Sequence, residues 1–365
     1  MIEKVEVIAL TEKLIRFHST KNNPEELHAC ADFLETYFAD SGFEIQRFEQ
    51  NGIPSIMVTE FGVKKPKVLL NGHFDVVEGD DEQFVPKQEE DKIFGRGALD
   101  MKSGLAIMMM LMRQAKEKKW DLGLMMVGDE EVGGFNGTGY LTKLGFGGEI
   151  VIIPDGGSAV HRIIEKEKGV LRLVMHAKGE SAHGSVPWKG KNAIQLLASA
   201  ITLVQDAFTP LEKHPEDHWV TTCNIGLIEG GVAANQVAAS AKAVCDIRFV
   251  EKDTPEKIIE RMQKIMPEGI EIEHVMTVPP MTTSSTHPNV ALFAEFISAC
   301  GRTAEYSVAH GSSDGRFFSQ QGSNVIICQP DGANHHGRNE WVSIPSMMLY
   351  AEVLEKYVTS IAKKS

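Results

Sequence analysis

Short, almost unbroken apolar runs alternate with amphipathic stretches over the first 165 residues. Residues 68–70, 124–127 and 151–153 are such runs, ending in Asn-Gly, Gly-Asp and Pro-Asp turns. They predict strands buried on both faces of a mainly parallel sheet. Leu27, Ala31, Leu34 and Phe38 fall at helical spacing, which predicts an amphipathic helix over residues 27–38. Residues 102–113 are apolar almost all round, the pattern of a buried helix. The segment reads as an α/β layer structure.

From about residue 169 to residue 276 the pattern changes. Residues 170–177 predict a strand, and Ala193, Leu197, Ala200, Val204 and Ala207 form a helical stripe. Residues 221–228 predict a second strand. In a third, Ala243, Cys245, Ile247 and Phe249 alternate with polar positions. Thr254-Pro255 opens a helix with Ile258, Met262 and Ile265 on one side, and residues 270–274 alternate as a last strand. The order βαββαβ is the ferredoxin-like signature. Beyond Pro279-Pro280 the α/β pattern resumes, with helices over 290–299, 317–321 and 346–362 and a strand over 325–328. The expected architecture is a mixed, mainly parallel sheet with helices on both faces. It is carried by residues 1–167 and 279–365 and interrupted by a smaller ferredoxin-like domain over 168–278.

Composition narrows the function. At 365 residues the chain is long enough for two domains. Lys and Arg number 37 against 50 Asp and Glu, a formal net charge of −13. So acidic a surface repels phosphate backbones and anionic lipid, which argues against nucleic-acid and membrane-surface partners. The longest apolar run, residues 105–112, is far short of the roughly 20 residues that span a bilayer. Five scattered cysteines and no CxxC pair suggest reduced thiols. Residues 1–16 show no secretory apolar core, so a cytoplasmic protein is expected.

Candidate chemistry collects where predicted strands end. In an extended chain residues two apart point the same way, so Asp75 can reach the ring of His73. A carboxylate on one imidazole nitrogen leaves the other directed at a metal. A loop His beside a loop Asp is the plainer alternative. Asp100 directly precedes the buried helix, where capping is an alternative role. Glu130 and Glu131 follow a buried strand and precede Gly133-Gly134. Two such carboxylates are costly to bury without a compensating cation or proton, and an exposed acidic turn is the alternative. Asp155 lies in an Asp-Gly turn, ordinary on its own. Together, four successive strand ends deliver a carboxylate or His to the edge where open α/β sheets keep their sites. His335 and His336 add imidazoles late in the chain. The set offers oxygen and imidazole ligands and no thiolate, which suits hard-to-borderline divalent metals.

With these residues in view the sequence resembles, over nearly its whole length, the co-catalytic di-zinc hydrolases that include acetylornithine deacetylase, succinyl-diaminopimelate desuccinylase, aminoacylase, carboxypeptidase G and several dipeptidases. The resemblance rests on His73-Phe74-Asp75, Gly95-Arg96-Gly97 through Asp100-Met101-Lys102, and Glu130-Glu131. It continues in Ala182-His183-Gly184 with Pro187, Gly190 and Asn192-Ala193, then Asn235 and Asp246-Ile247-Arg248. Ser313-Asp314-Gly315-Arg316 and His336-Gly337-Arg338-Asn339-Glu340 complete it.

The resemblance implies that His73 and Asp155 hold one zinc, Glu131 and His336 the other, and that Asp100 bridges both. Co²⁺ and Mn²⁺ are alternatives to zinc. It implies that Asp75 orients His73, that Glu130 is the general base acting on a metal-activated water, and that His183 stabilises the oxyanion, often from a partner subunit. Asn235, Arg248 and Arg316 match positions that grip the substrate's carboxylate or backbone. His335 rivals His336, and only the His-x-x-Asn-Glu spacing favours the latter. A structural pair with Asp246 is an alternative role for Arg248.

The expected activity is zinc-dependent hydrolysis of the amide of an N-acyl amino acid or small peptide, in a homodimer formed through the inserted domain. Aspartate at 155, where the deacetylases and desuccinylases usually carry Glu, resembles the aminopeptidase and dipeptidase branch. A rival reading takes Gly311-Ser312-Ser313-Asp314-Gly315 as a G-x-S-x-G motif, with Ser313, Asp331 and His336 as a serine-hydrolase triad. No buried strand leads into Gly311, and Asp331 follows too soon. A binding module without catalysis would be expected to lack a ligand or the base, and neither is missing. Gly137 and Gly139 are too isolated to mark a dinucleotide site.

Overall fold

The computed structural model describes residues 2–208 and 219–363. The chain forms two compact units. One comprises Met1–Lys166, Thr282–Ala309 and Ser313–Ser365, and the other Glu167–Met281 with His310–Ser312.

The first unit is built on a six-stranded sheet. Its strand order is Glu44–Gln50, Ile53–Thr59, Leu122–Val127, Val68–His73, Ile150–Ile153, Asn324–Ile327. The last four pair in parallel, and the first two are an antiparallel hairpin on Leu122–Val127. Every residue of Val68–His73 and Leu122–Val127 is buried, which explains their unbroken apolar character. Each fully buried Leu, Ile or Val there contributes about 1.5–3 kcal/mol. Ser103–Lys118 is the buried helix that residues 102–113 predict, and the helices Lys4–Ile15 and Ile344–Ile361 pack against it. Pro24–Phe38 lies on Ile53–Thr59, with the Asn23 side chain capping its N-terminus.

A second, four-stranded antiparallel sheet joins distant stretches of the same unit. Its order is Gly332–Ala333, Trp341–Ser343, Lys92–Phe94, Lys87–Glu89. Its strands are two or three residues long and depend on each other for their hydrogen bonds. Lys92–Phe94 therefore does not join the central series of strands. Asp100, expected from a fourth end of that series, is delivered from this smaller sheet.

The second unit is a four-stranded antiparallel sheet in the order Thr222–Gly230, Ser240–Phe249, Gly169–Lys178, Ile270–Val278. The helices Ala193–Ala207 and Pro255–Ile265 bury Leu197, Ala200, Val204, Ile258 and Met262 against it. Thr254 caps the second helix, with its side chain accepting from Lys257 N at 3.3 Å. The connectivity is that of a βαββαβ fold.

Candidate metal centre

Two sheets of the first unit supply the cluster. His73 is the last residue of its strand, Glu130 and Glu131 follow Leu122–Val127, and Asp155 follows Ile150–Ile153. Asp100 and the two histidines come instead from loops at the smaller sheet, Asp100 after Lys92–Phe94 and His335-His336 before Trp341–Ser343. Asp100 caps no helix. The helix Ser103–Lys118 begins beyond it without a side-chain cap, and the Asp100–Met101 peptide bond is cis.

Asp100 lies at the centre of the cluster and is 5% exposed. His73 Nε2 is 3.0 Å from its Oδ1 and 3.9 Å from Asp155 Oδ2. On the other side, His336 Nε2 is 3.2 Å from Asp100 Oδ2 and 3.1 Å from Glu131 Oε2. His335 Nε2 also reaches Asp100 Oδ2. Two triads therefore have ligand atoms within 4.8 Å of one another, His73–Asp100–Asp155 and Asp100–His335–His336, and they share Asp100. Both histidines approach Asp100, but His336 is the one whose ring also meets Glu131.

The electrostatics of the cluster favour positive charge. Burial works against a proton on His73, yet its hydrogen bonds to Asp100 and Asp75 hold it well above the ordinary imidazole range. Burial likewise opposes ionisation of Asp100, but hydrogen bonds from His335, His336 and His73 keep its carboxyl well below the usual range. Hydrogen bonds to Asp100 and Glu131 raise His336 to about 10. Burial, followed by the nearby Asp155 carboxylate, pushes Glu130 well above the usual carboxyl range. Carboxylates this close need a compensating cation or proton. The donors are carboxylate oxygen and imidazole nitrogen without sulfur, and they fit two divalent cations sharing Asp100.

Asp75 acts differently from its sequence-based reading. His73 Nδ1 donates to the backbone carbonyl of Asp75 at 2.9 Å, while the nearer carboxylate oxygen is 3.5 Å away. The carboxylate instead accepts from the backbone N–H groups of Glu130, at 3.2 Å, and Glu131, at 3.1 Å. One residue thus holds the His73 ring on one strand and the acidic turn on its neighbour. Arg316 is buried, with its two amino groups donating to the carbonyls of Ser313 and Gly133. It anchors the turn after Glu131.

Glu340 closes the His336 motif without a role of its own in the sequence. It is 1% exposed and accepts from three backbone N–H groups around Asp100. A glutamate closing the motif that carries His336 was the available signal.

The serine-hydrolase triad does not form. Asp331 accepts from Val160 N and Arg302, while the His336 ring faces Asp100 and Glu131.

Within the second unit, His183 and Asn235 share one loop pair, with Gly184 N donating to Asn235 O at 2.7 Å. His183 is exposed, and its Nδ1 accepts from Ser185 N at 3.2 Å, which leaves the proton on Nε2. Arg248 forms the pair that its sequence alternative describes, donating from Nε to Asp246 Oδ1 at 2.6 Å and from Nη2 to Oδ2 at 3.4 Å.

Carboxylates and imidazoles converging at the strand ends of an α/β unit form a candidate divalent-metal centre. The chain belongs to the peptidase family M20/M25/M40, whose family model matches residues 69–360. It is 28% identical to a succinyl-diaminopimelate desuccinylase of Pseudoalteromonas atlantica, over 96% of this chain and 97% of that protein. It is 32% identical to a peptidase M20 domain-containing protein of Schizosaccharomyces pombe, over 73% of this chain and 65% of that one. Its fold matches aminopeptidase PepT from Bacillus cereus with a TM-score of 0.80 at 19% identity, covering 99% of both chains. An M20 family metallo-carboxypeptidase from Sulfolobus solfataricus also gives 0.80 at 19%, covering 98% of this chain and 99% of that one. Among the described residues no helix is long and apolar enough to cross a membrane.

Asp75→Ala removes the acceptor of two backbone N–H groups beside Glu131. It is expected to weaken Zn²⁺ affinity by about 10–100-fold with an unchanged far-UV circular dichroism spectrum. Wild-type affinity in a chelator competition would contradict this role.

Proposed function

We propose that this chain hydrolyses the amide bond of an N-acylated amino acid or short peptide, as a zinc enzyme holding two cations. His73 and Asp155 hold one, Glu131 and His336 the other, and Asp100 is shared. The observation that carries the proposal is Asp100 itself, a buried carboxylate met by His73 at one oxygen and by His335 and His336 at the other. The two cations, when bound, supply Lewis acidity that favours deprotonation of water and polarises the scissile carbonyl.

The residues divide the remaining work. Glu130, fixed through its backbone by Asp75, takes the proton of the attacking water on its carboxylate and passes it to the leaving amine. His183 donates from Nε2 to the carbonyl oxygen as negative charge develops there. Asn235 and the Arg248 guanidinium bind the substrate's backbone and carboxylate, with Asp246 fixing the plane of the arginine fork. Arg316 acts through the carbonyls it holds rather than through a free fork.

Relatives named succinyl-diaminopimelate desuccinylase support an acyl-amino-acid substrate. Asp155 favours a second reading, in which the substrate is a di- or tripeptide, and structural neighbours described as an aminopeptidase and a tripeptidase agree with it. Free cysteines fit a cytoplasmic location.

The second unit supports a homodimer. Its edge strand Thr222–Gly230 exposes Leu227 and Ile228, and Ala193–Ala207 exposes Ile194 and Leu203. An apolar edge of this kind can be covered by its own copy across a two-fold axis.

Chelation is expected to abolish turnover and Zn²⁺ or Co²⁺ to restore it, in a screen of N-acetyl and N-succinyl amino acids, dipeptides and tripeptides. Glu130→Ala should keep its metals and lose about 10²–10⁴-fold in kcat. Chelator-resistant turnover, or a fully active Glu130→Ala, would contradict the mechanism. Light scattering should report a dimer, and a monomer would contradict the pairing of edge strands.

A further inference from the structure

Glu340 and Arg96 are buried, oppositely charged side chains that the proposed mechanism does not use. Glu340 Oε1 accepts from Leu99 N at 2.9 Å and from Asp100 N at 3.1 Å. Its Oε2 accepts from Gly97 N at 3.1 Å and from Arg96 Nη1 at 2.9 Å. Gly97, at φ +80°, adopts the left-handed conformation that glycine tolerates, and the backbone around it turns three N–H groups onto one carboxylate. The other amino group of Arg96 donates to the carbonyl of His336 at 3.1 Å and of Glu78 at 3.3 Å. Gln83 adds a parallel strut, its Nε2 donating to Gly337 O at 3.1 Å while its carbonyl accepts from Arg96 N at 2.8 Å.

These bonds end on the ligands' own backbones. One is the N–H of Asp100, and another is the C=O of His336. The two residues lie far apart in sequence, yet the carboxylate of one and the ring of the other are 3.2 Å apart. The pairing of Lys92–Phe94 with Trp341–Ser343 joins the two loops at their bases, and the hydrogen bonds of Glu340 and Arg96 carry that link out to Asp100 and His336. The span runs from Asp100 through Glu340 and Arg96 to His336; every link is a hydrogen bond, and Asp100, Glu340 and Arg96 are buried.

We propose that Glu340 and Arg96 are positioning residues that set the spacing of Asp100 and His336, and so tune affinity at the metal site these two share. The proposal rests on the reading of Asp100 and His336 as ligands. A carboxylate with both oxygens doubly engaged cannot be replaced by an amide, because a Gln NH₂ group would face two donors. A lysine at 96 keeps the charge but has no second arm with which to hold His336.

The test compares wild type, Glu340→Gln and Arg96→Lys by competition for Zn²⁺ with a chromophoric chelator, together with kcat and KM. Leu34→Ala, which removes buried side-chain volume elsewhere in the first unit, serves as a control for general destabilisation. Both variants are expected to bind Zn²⁺ about 10–100-fold more weakly, with the loss of turnover in kcat rather than KM. Leu34→Ala should keep wild-type affinity. If Glu340→Gln does not fold, Arg96→Lys decides the question. Wild-type affinity in a folded variant, or an equal loss in Leu34→Ala, overturns the proposal. A wild-type protein that takes up no zinc overturns the ligand reading instead.

Discussion

Mutual repulsion among crowded, partly desolvated carboxylates is the constraint on which the site depends. Asp100, Asp155, Glu130 and Glu131 come from three separate loops and meet around His73 and His336. Gathering them costs desolvation and Coulomb energy. The raised imidazoles and the depressed Asp100 carboxyl are two sides of one balance, in which negative charge is tolerated only where positive charge is held against it. Divalent cations meet that demand more completely than protons, since each brings two charges and accepts several oxygens at once.

The architecture answers the constraint by dividing these side chains between two sheets. The central sheet presents His73, the Glu130-Glu131 turn and Asp155 from three neighbouring parallel strands, each buried along its whole length. The smaller sheet presents Asp100 and the histidine pair across a seam closed by Glu340 and Arg96. Asp75 secures the first group internally, and the Arg96–Glu340 pair secures the second. His73, Glu130, Glu131, Asp100 and His336 are thereby held by groups that are themselves hydrogen-bonded, as a metal site requires for a fixed geometry.

Much of this was legible in the sequence, and the rest was not for physical reasons. Unbroken runs such as residues 68–70 and 124–127 announce strands because burial on both faces leaves no polar position. The alternation of Ala243, Cys245, Ile247 and Phe249 announces a half-buried one. The hairpin Glu44–Gln50 and Ile53–Thr59 escaped notice. Its outer strand is only partly buried, and the left-handed Asn51-Gly52 turn was the one strong signal. The smaller sheet was illegible, since three residues near position 92 and three near 341 carry no local sign of pairing. For the same reason Asp100 was assigned to the wrong series of strand ends. The proximity of His73 and Asp75 followed from strand geometry, but the preference of the imidazole for a backbone carbonyl did not. Arg248 could be read as a substrate ligand or a partner of Asp246, and only coordinates reveal the pair.

The central claim is that two cations sit side by side about Asp100. Anomalous diffraction at the zinc edge, from crystals of the intact chain grown with Zn²⁺, tests it most directly. The account predicts two peaks, one bounded by His73, Asp100 and Asp155 and the other by Asp100, Glu131 and His336. Peaks that avoid Asp100, or an absence of anomalous signal at these side chains, would contradict it.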